Sequence, residues 1–137
     1  MVESRITDAG RRAAEEMIGA DGPAIMEANA ERWATRVDEN WSQLITGWVV
    51  NGLYARAILP TSVRELCAVA GIAILGREHE LESHIRIALQ SNPPEAVREV
   101  LLQMAVYGGV PVALDGMRVF ERVMAEAEDD GPPPAVR

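Results

Sequence analysis

The 137-residue sequence has few of the residues that build disulfide scaffolds, metal clusters or phosphate-binding loops. Its one cysteine, Cys67, cannot form an internal disulfide. The two histidines and the scattered carboxylates show none of the HxH, HxxxH or CxxC spacings of common metal sites, so we expect no metal. Glycine-rich motifs that surround phosphates are absent as well. The sequence therefore favours neither disulfide, metal nor nucleotide chemistry.

Positive charge is also scarce, with 13 basic against 21 acidic side chains and a net charge of −8. A nucleic acid or an anionic bilayer would be repelled by such a chain, so neither is expected as a partner. The longest apolar run, Leu66 to Leu75, is too short to span a membrane and predicts a helix buried on all sides. The first residues lack the apolar region of a signal peptide, and we expect a cytoplasmic protein.

Aliphatic residues supply most of the apolar content. Apolar residues make up 48% of the chain, but only three Trp, two Tyr and one Phe are aromatic, which is typical of packed helices. A chain of this length is expected to bury one core. We predict an all-α fold, a compact bundle of about six to seven helices, forming a single domain over residues 1–128. Residues 129–137 are too polar and proline-rich to pack and are predicted to be a disordered tail.

Proline and glycine divide the first half of the chain. The segment from Ile6 to Ile18 is predicted to be at most a marginal helix that needs a neighbour. Asp21-Gly22-Pro23 places a proline in the first turn of a helix that runs to about Thr35. Asp38 can cap a further helix, whose apolar residues are spaced i, i+3, i+4, i+7 and i+8 and are Trp41, Leu44, Ile45, Trp48 and Val49.

The second half is predicted to contain four helices. Leu59-Pro60 ends the preceding segment, and Thr61 and Ser62 are N-cap candidates for a helix that ends near Gly76. A second helix spans Glu78 to Gln90. Val97 to Tyr107 mark a third, and the last begins at Pro111 after a Gly-Gly break.

His84 is the candidate for chemistry because it lies in the apolar stripe of the helix from Glu78 to Gln90. Glu80 precedes it by four residues and shares its face, where a carboxylate can orient the imidazole for general acid or base catalysis. The structural alternative is a core or interface histidine whose nitrogens are satisfied by hydrogen bonds. His79 falls on the polar face, where we expect it to be solvated.

Three arginines, Arg56, Arg64 and Arg86, adjoin apolar sequence. A planar guanidinium can hold a carboxylate through two parallel hydrogen bonds, so these residues are candidates for binding an acidic substrate. Alternatively, each pairs with a structural glutamate of the chain or lies on the surface. Cys67, within the apolar run, is expected to be a small inert hydrophobic residue.

Several segments resemble the carboxymuconolactone decarboxylase family. They are GREHELESHIRIAL at 76–89, VREVLL at 97–102 and AVYGGVP at 105–111, with further similarity upstream, so the resemblance covers about residues 35 to 125. It implies an all-helical, alkylhydroperoxidase D-like fold that assembles into a ring, commonly a trimer or hexamer, with active sites near subunit contacts. The number of amphipathic helices independently favours a homo-oligomer, because one small core would not cover all their apolar faces.

The resemblance further implies a carboxy-lyase without a cofactor, acting in aromatic catabolism on carboxymuconolactone or a related lactone or keto acid. In such a substrate the electrons of the leaving carboxylate flow through a double bond into the lactone carbonyl, so the substrate is its own electron sink. By this hypothesis His84 donates the proton or stabilises the enolate, and Glu80 orients it. The residues expected to bind the substrate carboxylates and the rest of the substrate are Arg56, Arg64, Arg86 and Tyr107.

The chain departs from the family pattern at several positions. It has Arg77 and Glu80 where the alkylhydroperoxidase D branch has its two cysteines, which argues against thiol peroxidase chemistry. Where family decarboxylases tend to have Arg-Pro-Gly-Leu, Trp-Gly and Tyr-Cys-Gly, it has Arg56-Ala57-Ile58-Leu59, Val50-Asn51 and Tyr107-Gly108-Gly109. Two alternatives therefore stay open: a homologue repurposed for proton transfer, isomerisation or cyclisation in a biosynthetic pathway, and a non-catalytic oligomer that binds a ligand.

Overall fold

The computed structural model describes residues 6–130, and all regular structure in that range is helical. This confirms the all-α prediction. In chain order the helices are α1 (Asp8–Ile18), α2 (Gly22–Arg36), α3 (Glu39–Gln43), a π-helix (Leu44–Tyr54), α4 (Thr61–Leu75), α5 (Glu78–Ala88), α6 (Pro94–Gly108) and α7 (Val110–Asp130). None of the helices described is long and apolar enough to cross a lipid bilayer.

Contacts along the chain group these helices into two compact units, one up to Thr61 and the other from Ser62 onward. The single domain over residues 1–128 stays a prediction. Of the predicted tail, residues 129 and 130 belong to α7, and residues 131–137 lie outside the described part of the chain.

In the first unit, α1 is fixed by its neighbours, as a marginal helix requires. Thr7 caps it by accepting a hydrogen bond from the Gly10 N–H at 3.1 Å. The side-chain oxygen of Asn51, on the π-helix, accepts hydrogen bonds from the Thr7 N–H at 3.0 Å and the Thr7 hydroxyl at 3.1 Å. A Cβ atom at Gly22 would lie 2.1 Å from the backbone oxygen of Ala14. Glycine at this position therefore lets α2 begin directly against α1.

The π-helix takes the place of most of the α-helix predicted from the apolar spacing. In this winding an N–H bonds to the carbonyl five residues earlier, as from Ala55 to Val50 at 2.9 Å. The buried residues of α3 and the π-helix are four apart and are Ser42, Thr46 and Val50. Trp41, Leu44 and Trp48 are exposed instead. The predicted helix is correct in position but wrong in winding and in its buried face.

Helices α4 to α7 contribute apolar stripes to the core of the second unit. The boundaries agree with the sequence signals, because α4 ends before Gly76, α6 begins at Pro94, and Gly109 separates α6 from α7; both glycines have positive φ, +64° and +92°. The buried core residues are Val69, Ala73, Leu81, Ile85, Ala88, Val97, Leu101, Met104, Val119, Phe120 and Val123.

One face of α4 is exposed, although its apolar sequence predicted burial on all sides. Val63 and Ile74 are 38% and 40% exposed, and Leu75 is 71% exposed. Cys67, predicted to be packed, is exposed too. These residues and Gly71 follow one another at helical spacing, and we call them the α4 stripe. The prediction of full burial is wrong for the single chain, because only the opposite face of α4 meets the core.

Arg86 joins α5 to α7 through ion pairs. Its side chain is 5% exposed, and its Nη2 donates to Glu82 at 2.8 Å and to Glu126 at 2.5 Å. Arg122 donates to the other carboxylate oxygen of Glu82 at 3.3 Å. The hydrogen bond from Arg86 lowers the pKa of Glu82, and burial opposes this only in part. Burial by itself would lower the pKa of Arg86, but its bonds to Glu82 and Glu126 outweigh burial and raise that pKa.

We expect Glu82→Gln to reduce the free energy of unfolding by about 1–2 kcal/mol at neutral pH, because Arg86 loses one of its two charged partners. The folded-state pKa of Glu82 lies below its usual value of 4.5. Its contribution is therefore present above that value and is lost as the pH falls through the lower folded-state pKa. Urea unfolding should show a difference from the wild type that narrows steadily toward about pH 3.

The matched control is Glu121→Gln, an exposed glutamate on α7, which should have little effect at either pH. If the free energy of unfolding of Glu82→Gln stays below that of the wild type by the same amount down to about pH 3, the charge-based explanation is contradicted.

Candidate functional site

His84 is in contact with a buried carboxylate from another helix of the second unit. Its Nδ1 lies 2.9 Å from Oε2 of Glu65, on α4. The Glu65 side chain is 0% exposed, whereas His84 is 30% exposed. With Glu65 accepting the Nδ1–H, the tautomer and orientation of the ring are fixed and Nε2 is left for a ligand. Within residues 6–130, Nε2 has no hydrogen-bond partner.

Glu80 was predicted to orient His84, but Glu65 is the carboxylate that meets the ring. Glu80 lies in the first turn of α5, is exposed, and makes no hydrogen bond or ion pair in the part of the chain described. Sequence reasoning missed Glu65 as the partner of His84. The available signal was its position, since Glu65 and Arg64 are the only charged residues between Thr61 and Leu75. A carboxylate within such a helix needs a partner if it is buried.

The arginines and the tyrosine predicted to bind substrate lie in different surroundings. Arg86 is held by its two glutamates, which is the structural alternative for this residue. Arg64 is half-buried on α4, directly before Glu65. Tyr107 is 71% exposed near the end of α6. Arg56 is exposed in the segment that follows the π-helix. His84 therefore contacts Glu65, whereas Arg86 contacts Glu82 and Glu126.

The first unit contains a cavity of about 390 Å³. It lies between α1, the end of the π-helix and the segment that leads to Thr61, and its size is within the range of small-molecule pockets. Glu16 accepts a hydrogen bond from the Thr61 hydroxyl at its wall, at 3.1 Å. The polar lining residues are Arg12, Glu16, Tyr54, Arg56 and Thr61, and the remaining ones are Ala9, Ala13, Ala55, Ala57, Leu59 and Pro60.

The sequence prediction contained Arg56 but missed Arg12, because α1 was considered only as a marginal helix. Alternation of charged residues with alanines in α1 is the pattern that could have pointed to it. Alanines at positions 9 and 13 leave space, and Arg12 lies on the same part of the helix surface.

The departures from the family pattern have identifiable contacts. Asn51 uses its side chain to hold the N-terminus of α1. Ala57 lines the cavity, and Ile58 is 72% exposed. A Cβ atom at Gly108 would lie 2.5 Å from the end of the Ile74 side chain, so glycine allows the C-terminus of α6 to approach α4.

The described residues contain no group of three or more His, Cys, Asp or Glu side chains that could hold a metal ion.

Comparison with known proteins identifies relatives that match from 65% to 93% of the chain. A nitrosuccinic acid decarboxylase of Metarhizium robertsii is 28% identical over 130 residues, which cover 93% of this chain and 87% of that protein. A 4-carboxymuconolactone decarboxylase of Acinetobacter baylyi is 26% identical over 90 residues, 65% of this chain and 67% of the relative. The sequence model of the carboxymuconolactone decarboxylase family matches residues 47–122, which include both Glu65 and His84 and more than half of the chain. The protein therefore belongs to the carboxymuconolactone decarboxylase family.

Proposed function

We propose that the protein is a decarboxylase in which His84 is the acid–base residue and Glu65 orients it. The observation that carries this proposal is the pair itself. A fully buried carboxylate binds Nδ1 of a partly exposed imidazole whose Nε2 makes no bond within the described residues. Both relatives are named as decarboxylases, which supports the same reaction type here.

The names of the two relatives suggest a common electronic requirement for the substrate. Nitrosuccinic acid carries a nitro group on the carbon that bears one of its carboxylates. Carboxymuconolactone carries a carboxylate whose bonding electrons can flow through a double bond into the lactone carbonyl. In either acid the C–C bond to the carboxylate breaks, CO₂ leaves, and the electron pair moves into an electron-withdrawing group. A proton then returns to carbon. We infer that the substrate is a small acid of this class, a keto acid included, and that the reaction needs no cofactor.

The role of the protein in this scheme is positioning and proton delivery. Protonated at Nε2, His84 can give a proton to the carbanionic carbon or stabilise charge on the oxygen of the electron sink. Glu65 can orient the ring and balance its positive charge, because Oε2 lies at hydrogen-bond distance from Nδ1. Arg56, Arg64 and Tyr107 remain candidates for binding the substrate, whereas the bonds of Arg86 to two glutamates favour a structural role.

A second candidate function uses the same pair. A family member repurposed for proton transfer, isomerisation or cyclisation would keep His84 and lose only the release of CO₂. This second function is supported by the departures at Asn51, Ala57, Ile58 and Gly108. At these positions the chain lacks the residues that family decarboxylases tend to have. Assays of CO₂ release from several acids separate the two functions, and a non-catalytic protein would show neither turnover nor dependence on His84.

We further propose that a second copy of this chain covers the α4 stripe, in a homo-oligomer such as a trimer or hexamer. The stripe consists of apolar and small residues, and a surface of this kind is costly to leave in water. Trp48, which is 65% exposed in the first unit, offers additional apolar surface. Burial of the stripe by a second copy would also explain why the face of α4 that points away from the core is apolar rather than polar.

His84→Gln is expected to lower kcat for CO₂ release by about 100-fold or more, because the proton donor is removed. Glu65→Gln should lower kcat by about tenfold or more with a smaller change in KM, because the ring loses its charged partner while the substrate contacts remain. Release of CO₂ from nitrosuccinate and from carboxymuconolactone measures both effects, with circular dichroism as the check on folding.

Two neighbouring residues provide matched controls for this experiment. His79→Gln and Glu80→Gln change the same residue types on the exposed part of α5 and should stay close to wild-type activity. Full activity of His84→Gln would remove this residue from the mechanism. Equal losses in Glu80→Gln and Glu65→Gln would reject the specific role of Glu65.

Gly71→Arg is expected to dissociate the oligomer without unfolding the chain. Within residues 6–130, a Cβ atom at Gly71 would meet no neighbouring group within 4 Å, so there is room for a side chain. A charged group there would oppose packing of a second copy. Light scattering after size exclusion should give a multiple of the chain mass for the wild type and a lower multiple for the variant. Gln90→Arg, at an exposed polar position, should leave the mass unchanged; a monomeric wild type would contradict the proposal.

A further inference from the structure

We propose that the cavity in the first unit is a binding site for a small organic carboxylate, and that Arg12 is the residue that recognises its charge. This site goes beyond the acid–base chemistry of His84 and does not depend on it. The proposal rests on three features of the cavity: an uncommitted guanidinium, the balance of charge in its wall, and the apolar character of the rest of its lining.

Arg12 is uncommitted although a carboxylate lies at a favourable spacing. Glu16 follows it by four residues on α1, a separation at which arginine and glutamate commonly pair on a helix. Glu16 instead accepts the hydrogen bond from the Thr61 hydroxyl at 3.1 Å. Within residues 6–130, Arg12 forms no hydrogen bond or ion pair, and it lines the cavity. Its guanidinium therefore has its donors available to a bound molecule.

The charge of the cavity wall favours one carboxylate. Arg12 and Arg56 contribute two positive charges and Glu16 one negative charge, so the wall carries one net positive charge in a chain whose net charge is −8. Arg56 has interactions of its own within the protein, and for this reason Arg12 is assigned the recognition. A planar guanidinium matches a carboxylate with two parallel hydrogen bonds.

The rest of the lining favours a ligand with an apolar body. Ala9, Ala13, Ala57, Leu59 and Pro60 supply small apolar surface around the polar residues. The volume of about 390 Å³ is near the lower end of the range for ligand pockets, which fits a small molecule. A phosphate is less suitable, because its additional charge and oxygens would meet Glu16 and apolar side chains that cannot hydrogen-bond to it.

A pair of isosteric probes tests this site directly. Amide NMR spectra of the full chain titrated with benzoate should show saturable shifts at Ala13, Ala57 and Thr61, which line the cavity. Benzamide has the same shape without the charge and should bind at least about tenfold more weakly, since it cannot accept charge-assisted hydrogen bonds from Arg12.

Arginine variants then locate the recognition. Arg12→Ala should weaken benzoate binding by about tenfold or more, and Arg12→Lys should restore part of the affinity because it keeps the charge without the planar fork. Arg36→Ala removes the same charge from an exposed position at the end of α2, away from the cavity lining, and should bind benzoate as the wild type does.

The outcomes separate this proposal from the proposed reaction. His84→Gln should keep the wild-type affinity for benzoate even if it has lost turnover. Conversely, turnover by the wild type without benzoate binding would contradict the cavity proposal and leave the proposed reaction intact. A raised KM for the decarboxylated acid in Arg12→Ala identifies the substrate as the ligand, and an unchanged KM with lost benzoate binding identifies a separate acid; both support the site. The absence of shifts at the cavity, equal binding of benzamide, or equal losses in Arg12→Ala and Arg36→Ala would overturn it.

Discussion

A carboxylate with no exposed surface is the constraint on which the site of the second unit depends. Glu65 lies on α4 one turn before Val69, which is part of the core, and a buried charge requires a partner that compensates for lost hydration. Nδ1 of His84 is one such partner, at 2.9 Å. The same bond that compensates Glu65 fixes the imidazole and directs its second nitrogen away from the carboxylate. The proposed acid–base role therefore depends on a contact that also compensates a buried charge.

Helix boundaries could be predicted from the sequence because their signals are local. Pro93-Pro94 and Gly109 act through backbone sterics at the residues themselves, and the structure has helix ends at these positions. The buried faces were less predictable. Trp41 and Trp48 satisfy an α-helical spacing, but the π-winding between them rotates the buried face toward Thr46. The apolar run of α4 could not reveal which part of it faces the core, because its exposed face is as apolar as its buried face.

The candidate site shows the same division between local and distant information. His84 was found because it interrupts an apolar stripe, a pattern contained within one helix. Its partner was not, because helical spacing can select only residues three or four positions away, whereas Glu65 is 19 positions away. The ion pairs of Arg86 show the same limit. Glu82 is one turn away on α5, but Glu126, the second carboxylate that Arg86 bonds to, is 40 positions away and could not be found from helical spacing.

Among the arginines of residues 6–130, Arg12 differs from Arg11, Arg86 and Arg118 in forming no ion pair. The chain has 21 acidic and 13 basic side chains, and the guanidiniums of Arg11, Arg86 and Arg118 each pair with a carboxylate. The carboxylate one turn from Arg12, that of Glu16, instead accepts a hydrogen bond from the Thr61 hydroxyl. Thr61 is also the first residue of α4. The residue that begins α4 therefore holds one charged side chain of the cavity wall in place, so the start of a helix contributes to the arrangement of charge at the proposed binding site.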